Sequence, residues 1–212
     1  VDEYLPKKIE ELNVVAYKEN FIVPRSREDG GSNINPICRY DYFVDFDTHV
    51  CTVATDEDKA HKLLSSARKQ KVEITNLGKG VKWEGGTMEG QGGGHKINLV
   101  KEYIKDKKDS DVLLFLDGYD TFISDSISEI LYRYLEFNSQ IVVSSERICW
   151  PDELIAPKLK ELNINQSTPY QYLNSGMYIG RIGRLKELLA TPIKNDEDDQ
   201  FYMQREYLRN PK

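Results

Sequence analysis

The chain has 212 residues, with 35 acidic against 29 basic side chains, a net charge of −6 and 30% charged residues. That length suits one compact α/β domain able to bury a core and still carry long functional loops, and the acidic balance excludes the basic face of a nucleic-acid binder. No apolar run reaches membrane-spanning length, the N-terminus shows no apolar signal-peptide core, and three cysteines (Cys38, Cys51, Cys149) make neither a metal-ligand cluster nor a fully paired set.

Residues 1–40 differ from the rest and read as an N-terminal extension. Leu5, Ile9 and Leu12 fit a short amphipathic helix, and Arg25 to Ser32 a polar linker. Residues 41–212 read as the functional domain. From His49 onward the pattern alternates between strand and helix. Val50 to Ala54 is a short apolar strand, and Thr55 with Asp58 resembles a capping box for a helix reaching about Gln70. Val72 to Leu77 is a second strand, followed by a glycine-rich stretch from Gly78 to Gly94. The next helix carries Ile97, Val100 and Ile104 on one face. Val112 to Leu116 is apolar at every position, the pattern of a strand covered on both faces. Ser126 and Glu129 open a helix whose buried face is Ile127, Ile130, Leu131, Tyr134 and Leu135. Ile141 to Val143 is a further strand, and Asn165-Gln166-Ser167 is a sequon usable on a secretory route. This βαβ order predicts a mostly parallel sheet with ligands at the carboxyl ends of its strands.

Asp117-Gly118-Tyr119-Asp120 follows the buried strand directly. Two carboxylates across a glycine turn can converge on one hard cation, which takes oxygen ligands and bridges to a diphosphate. Taken alone, the pair also fits a turn cap and a solvated loop residue; its place after an unbroken apolar strand favours the cation. Asp45-Phe46-Asp47 spells a second acidic motif, but it precedes the first clear strand of the alternating region and reads as an exposed strand with alternating faces. Gly92-Gly93-Gly94 before a helix offers free amides that could cradle phosphate. The acidic run Asp196 to Asp199 also fits a helix N-terminus, and Trp83 and Trp150 also fit a core. His61 reads as solvated, and His49 and His95 have no partner at metal-ligand spacing.

Four segments in one order carry a resemblance: Trp83-Glu84-Gly85-Gly86 leading to Gly92-Gly93-Gly94-His95-Lys96; Asp117-Gly118-Tyr119-Asp120; Ser145-Glu146-Arg147-Ile148-Cys149-Trp150-Pro151; and Tyr172-Leu173-Asn174-Ser175-Gly176 followed by Asp198-Asp199-Gln200. Together they resemble the glycosyltransferase domain of the procollagen lysyl hydroxylase/glucosyltransferase family. The resemblance implies an α/β fold of the GT-A, Rossmann-like type and Mn2+ (or Mg2+) held by Asp117 and Asp120. It also implies a UDP-glucose donor contacted by Thr55, Trp83, Lys96, Tyr119 and Asn174, with Tyr119 stacked on uracil. Glu146 and Trp150 then belong to the acceptor side, and Asp198 and Asp199 to the transferred sugar.

The implied reaction is metal-dependent transfer of glucose, with retention, to galactosyl-hydroxylysine of collagen or a collagen-like acceptor. Same-face attack assisted by the leaving phosphate and a carboxylate nucleophile both stay open. Galactosyl transfer from UDP-galactose to hydroxylysine and a non-catalytic collagen-binding module are the alternatives. The resemblance points to the endoplasmic reticulum lumen and leaves homodimerisation open. The family's third cation ligand, a histidine in an HGNG-like segment beyond the acidic patch, has no match before Lys212. The domain as given is therefore expected to lack its C-terminal end and to complete the cation's shell with water. With three histidines and no H-x-D pair, it carries no iron site of the hydroxylase type.

Overall fold

A computed structural model describes residues 15–22, 36–43, 46–87, 92–162 and 168–209, the first two stretches as backbone strands. The expected helix around Leu5 to Leu12, the linker at 25–32, Asp45 of the second acidic motif and the sequon lie outside these residues. The chain forms two compact units, Val1–Asp47 and Thr48–Lys212. In the first, β1 (Val15–Ile22) pairs antiparallel with β2 (Pro36–Phe43), in a register running from Val15 opposite Phe43 to Ile22 opposite Pro36. β1 and most of β2 fall inside residues 1–40, read from sequence as an extension, while Asp41 to Phe43 of β2 reach into the next segment.

The second unit is an α/β layer structure on a five-stranded open sheet. Its strands are β3 (Thr48–Thr52), β4 (Thr75–Asn76), β5 (Val112–Leu116), β6 (Ile141–Glu146) and β7 (Tyr172–Arg181), in the order β4-β3-β5-β7-β6. β3 pairs parallel with both β4 and β5, and β7 runs antiparallel to both β5 and β6. Four strands thus point one way, and β7 runs against them. This is the GT-A-type, Rossmann-like α/β arrangement expected from the sequence, with one reversed strand inside it.

The helices are α1 (His61–Lys69), α2 (Gly94–Ile104), α3 (Ile127–Glu136), α4 (Ala156–Leu162), α5 (Ile182–Leu188) and α6 (Asp199–Arg209), with a 3-10 turn at Glu153–Ile155 before α4. Among the described residues, no helix is long and apolar enough to cross a membrane. All five residues of β5 are buried, as its unbroken apolar run requires. Cys51, Phe115 and Tyr178 form one cross-strand row, with the Phe115 and Tyr178 rings stacked at 4.8 Å. Ile97, Val100 and Ile104 of α2 cover that face together with Ile182 and Leu185 of α5 and Tyr202 and Met203 of α6. Burying each large apolar side chain there contributes roughly 1.5–3 kcal/mol.

Two local readings change. The helix after β3 begins at His61, with no side-chain cap, and not at Thr55. Asp56 Oδ1 accepts the amides of Asp58 and Lys59 at 3.1 and 3.2 Å, so a turn occupies residues 57–60 before helical bonding starts. At α3, Ser126 does cap the Glu129 amide at 3.2 Å, but the Ser126 amide binds Asp125, so only half of a capping box forms. Of the expected apolar face of α3, Tyr134 is buried and the other four residues are half-buried.

Strand direction positions the site. β3, β5 and β6 all end at one edge of the sheet, and the reversed β7 begins there. Thr55, Asp117, Glu146 and Asn174-Ser175-Gly176, far apart in sequence, are delivered to that edge together.

Candidate active site

The centre of the edge is a buried ion cluster. Lys96 Nζ lies 2.8 Å from Asp199 Oδ2 and 3.2 Å from Asp117 Oδ2. The side chains of Lys96, Asp117 and Asp199 are 14%, 28% and 11% exposed. The Ser175 hydroxyl donates to Asp199 Oδ2 at 2.9 Å. Burial alone would push the Lys96 ammonium down, but Asp199 first and then Asp117 outweigh it and hold its pKa well above the ordinary lysine value. Asp117 sits above its ordinary value, because burial raises it by more than the facing Lys96 lowers it, and Asp120 adds a like charge. Asp117 is therefore an engaged, partly buried carboxylate and not a solvated loop residue.

The backbone around these three residues explains their convergence. The Asp117 amide donates to Gly176 O at 2.7 Å, so the end of β5 is stitched to the start of β7. A Cβ on Gly118 would stand 2.8 Å from the Ala54 side chain, so only glycine lets the Asp117 turn lie against β3. Gly93, at φ 104°, passes under Asp199, whose Oδ1 lies 2.2 Å from where a Cβ would be. Gly93 and Gly94 do not, however, present free amides. The amides of Gly93, Gly94, His95 and Lys96 are bonded to Gly85, Glu197, Asn195 and Gly93 carbonyls at 2.8–2.9 Å. The expected phosphate cradle is spent on clamping α2 to the loop before α6. The role of the glycines is close approach, which brings Lys96 to both aspartates.

Thr55 and Tyr119 meet beside this cluster. The Tyr119 hydroxyl accepts from the amides of Thr55 and Asp56 at 3.2 and 3.3 Å and lies 3.3 Å from Thr55 Oγ1. Thr55 to Asp58, with Lys79 and Gly80, line an open cavity of about 440 Å³. On the other flank, Glu146 Oε2 accepts from Asn174 Nδ2 at 3.4 Å, and its Oε1 accepts from Gln200 Nε2. Gln200 also donates to Trp150 O at 2.9 Å, while its own Oε1 accepts the Ser175 amide at 3.3 Å. Trp150 itself is exposed, at 58%, and a cis peptide bond joins it to Pro151.

Other expected residues separate. Asp120 is exposed, with no hydrogen bond or ion pair among the described residues. Asp198 does not share the position of Asp199: its Oδ1 accepts the Phe201 amide at 2.7 Å, and burial raises its pKa in spite of that bond. It faces a different cavity, about 480 Å³, lined by Pro151, Asp152, Glu197, Phe201, Tyr202 and Arg205. Within the acidic run, Asp198 thus caps the start of α6 while Asp199 joins the ion cluster. Trp83 stays on its own loop, its ring 5.3 Å from that of His95 and its indole N–H on Gly86 O at 2.8 Å. His61 is exposed as expected, while His49 is engaged with Asp111 Oδ2 at 3.0 Å. Ser175 and Gln200 lie within the family-like segments, but the sequence assigns them no role. The signal available for Gln200 was its spacing from Gln204, which shares its helix face and also donates to Trp150 O, at 3.0 Å.

As a cation site, Asp117 and Asp120 supply two carboxylates, the hard oxygen donors that Mn2+ or Mg2+ prefers. The described residues contain no group of three or more histidine, cysteine or acidic side chains that could hold a metal. The donor set is of the right kind, and a diphosphate or water must supply the remaining ligands.

Comparison with known proteins matches residues 45–212 to the family model described as PLOD GT domain. A Drosophila melanogaster procollagen-lysine,2-oxoglutarate 5-dioxygenase is 37% identical over 166 residues, covering 77% of this chain and 23% of the relative. The Caenorhabditis elegans multifunctional procollagen lysine hydroxylase and glycosyltransferase is 33% identical over 166 residues, covering 75% of this chain and 22% of the relative. The human multifunctional procollagen lysine hydroxylase and glycosyltransferase LH3 is 31% identical over 164 residues, with 75% and 22% covered. The chain spans less than a quarter of the length of each of these relatives. The matched region includes every segment that builds the sheet edge and its ion cluster, and the chain belongs to the PLOD GT domain family.

Proposed function

We propose that this domain transfers glucose from UDP-glucose to galactosyl-hydroxylysine of collagen or a collagen-like acceptor, in a metal-dependent reaction. The observation that carries the reading is the convergence of Lys96, Asp117 and Asp199 at the carboxyl end of β5. Family membership and the printed names of two relatives, which include glycosyltransferase, support it.

In this reading Thr55 and Tyr119 hold the uridine end, where their mutual hydrogen bonds fix the tyrosine ring. When bound at Asp117 and Asp120, a divalent cation supplies neutralisation of the charge that develops on the departing diphosphate. Asp199, oriented by Ser175 and Lys96, holds hydroxyls of the transferring sugar and supports positive charge at its reacting carbon. Glu146, held by Asn174 on the donor side and by Gln200, faces the acceptor, and the exposed Trp150 ring gives it an apolar face for a sugar.

The test is UDP release and product formation with UDP-glucose and UDP-galactose, each with and without Mn2+, on a peptide bearing galactosyl-hydroxylysine. Glucose transfer that requires both Mn2+ and the glycosylated acceptor is the expected result. Preference for UDP-galactose and unmodified hydroxylysine would replace the glucosyl assignment, and absence of turnover with either donor would leave a binding module.

A further inference from the structure

Lys96 brings one positive charge between two carboxylates at the sheet edge. Its ammonium engages Asp117 Oδ2 at 3.2 Å and Asp199 Oδ2 at 2.8 Å. The other Asp117 oxygen, Oδ1, accepts the Gly118 amide at 3.1 Å. Both oxygens of the principal cation ligand are therefore engaged within the protein. A divalent cation arriving alone must take an Asp117 oxygen while an ammonium stands a few ångströms away in a half-dry site. Like-charge repulsion at such range weakens binding by at least about tenfold. A diphosphate changes the sum. Its negative charges satisfy the cation and give the flexible lysine head a new partner, so that Asp117 can be released.

We propose that Lys96 is an internal counter-cation that makes the site accept a divalent cation and a nucleoside diphosphate together and refuse the cation alone. The proposal rests on reading Asp117 and Asp120 as cation ligands. It goes further in making Lys96 the determinant of how cation and nucleotide binding are coupled. A lysine serving only as a structural staple between β5 and α6 would affect stability without altering cation selectivity.

The test uses the 212-residue chain, with calorimetry and thermal melts in Mn2+ alone, UDP alone, and both. Wild-type protein is expected to ignore Mn2+ alone and to be stabilised by the pair. Lys96→Gln keeps an amide able to bond both carboxylates but removes the charge. It should bind Mn2+ alone at least about tenfold more tightly than wild type and gain melting temperature from it. Lys96→Arg keeps the charge and should still refuse Mn2+ alone. A Lys96→Gln chain that folds only when Mn2+ is added supports the same conclusion, and one that Mn2+ does not rescue overturns it. Equal Mn2+ affinity with and without UDP in wild type, or no gain in Lys96→Gln, also overturns it. The cation measurements need no nucleotide. Failure of both proteins to bind UDP would count against the transferase reading, while the Mn2+ comparison would still decide the role of Lys96.

Discussion

Replacing Asp199 with alanine removes the partner that Lys96 holds at 2.8 Å and the acceptor of the Ser175 hydroxyl at 2.9 Å. Both ionic side chains are largely buried, at 14% and 11% exposure, so solvent cannot repair the loss as it would on the surface. Breaking a buried pair from one side costs about 3–5 kcal/mol. Asp117 still faces Lys96 at 3.2 Å, which keeps the cost at the low end of that range, about 3 kcal/mol. For a domain of this size each kcal/mol moves Tm by about 2–4 °C, so Asp199→Ala should melt roughly 6–12 °C below wild type. Asp199→Asn keeps an oxygen for Ser175 and the side-chain volume, and should lose less than half as much. Turnover should separate from stability: at a temperature where both variants are folded, Asp199→Asn loses kcat far more than affinity for UDP, the mark of an interaction made mainly in the transition state. Thermal melts, UDP titration and initial rates on the three proteins are sufficient. An Asp199→Ala protein melting within about 2 °C of wild type would refute the buried-pair argument, and parallel losses of kcat and UDP affinity would refute the catalytic one.

Gly93→Ala forces a side chain into φ 104° and against Asp199 Oδ1, and should cost about 2 kcal/mol or more as well as activity; a melt equal to wild type would show that the loop relaxes freely. Trp150→Ala removes an exposed ring whose backbone carbonyl carries the structural bonds, so Tm should stay within about 2 °C while the acceptor KM rises; a large fall in Tm would make it a core residue. Stability should decline as pH rises past the ordinary tyrosine and lysine values of 10.0 and 10.5. Burial keeps the Tyr178 phenol protonated and the carboxylates keep Lys96 charged in the folded state, whereas the unfolded chain gives up both protons. Both contributions are whole below those values and are lost above them. Tyr178→Phe should flatten that slope, and a Tm that is level from pH 9 to 11 would contradict both assignments.

The fold was legible wherever one periodicity dominated. Val112 to Leu116 admits no polar residue, so it had to be a strand covered on both faces, and Ile97, Val100 and Ile104 mark one helix stripe. The reversed strand inside the sheet was not legible, because the side-chain pattern of a buried strand does not record its direction. Thr55 misled for a local reason. A threonine three residues before an acidic side chain satisfies the capping pattern, yet here Asp56 captures the next amides and the Thr55 hydroxyl lies beside that of Tyr119, whose position comes from another strand. The β1–β2 pair escaped although Cys38, Tyr40 and Tyr42 of β2 alternate with Arg39 and Asp41, because β1 keeps no such alternation and the segment between them reads as a polar linker.

The site divides along the same line. Residue types and their place after β5 were enough to pick Asp117, and the resemblance was enough to pick Lys96 and Asp199. The ion cluster that joins them depends on strand order and on how closely α2 and α6 approach the edge. That approach is set by glycines whose purpose reads differently from each side. In sequence, Gly92-Gly93-Gly94 before a helix suggests amides waiting for phosphate. In the folded chain those of Gly93 and Gly94 are bonded to the loop leading into α6 and to Gly85, and what the missing side chains provide is room for the Asp199 carboxylate over Gly93. A cradle would have placed the donor's charge on backbone dipoles. Under the proposed function the clamp leaves that charge to Lys96, so the anion specificity of the site would reside in one side chain, whose pairing with two carboxylates would tie nucleotide binding to the state of Asp117.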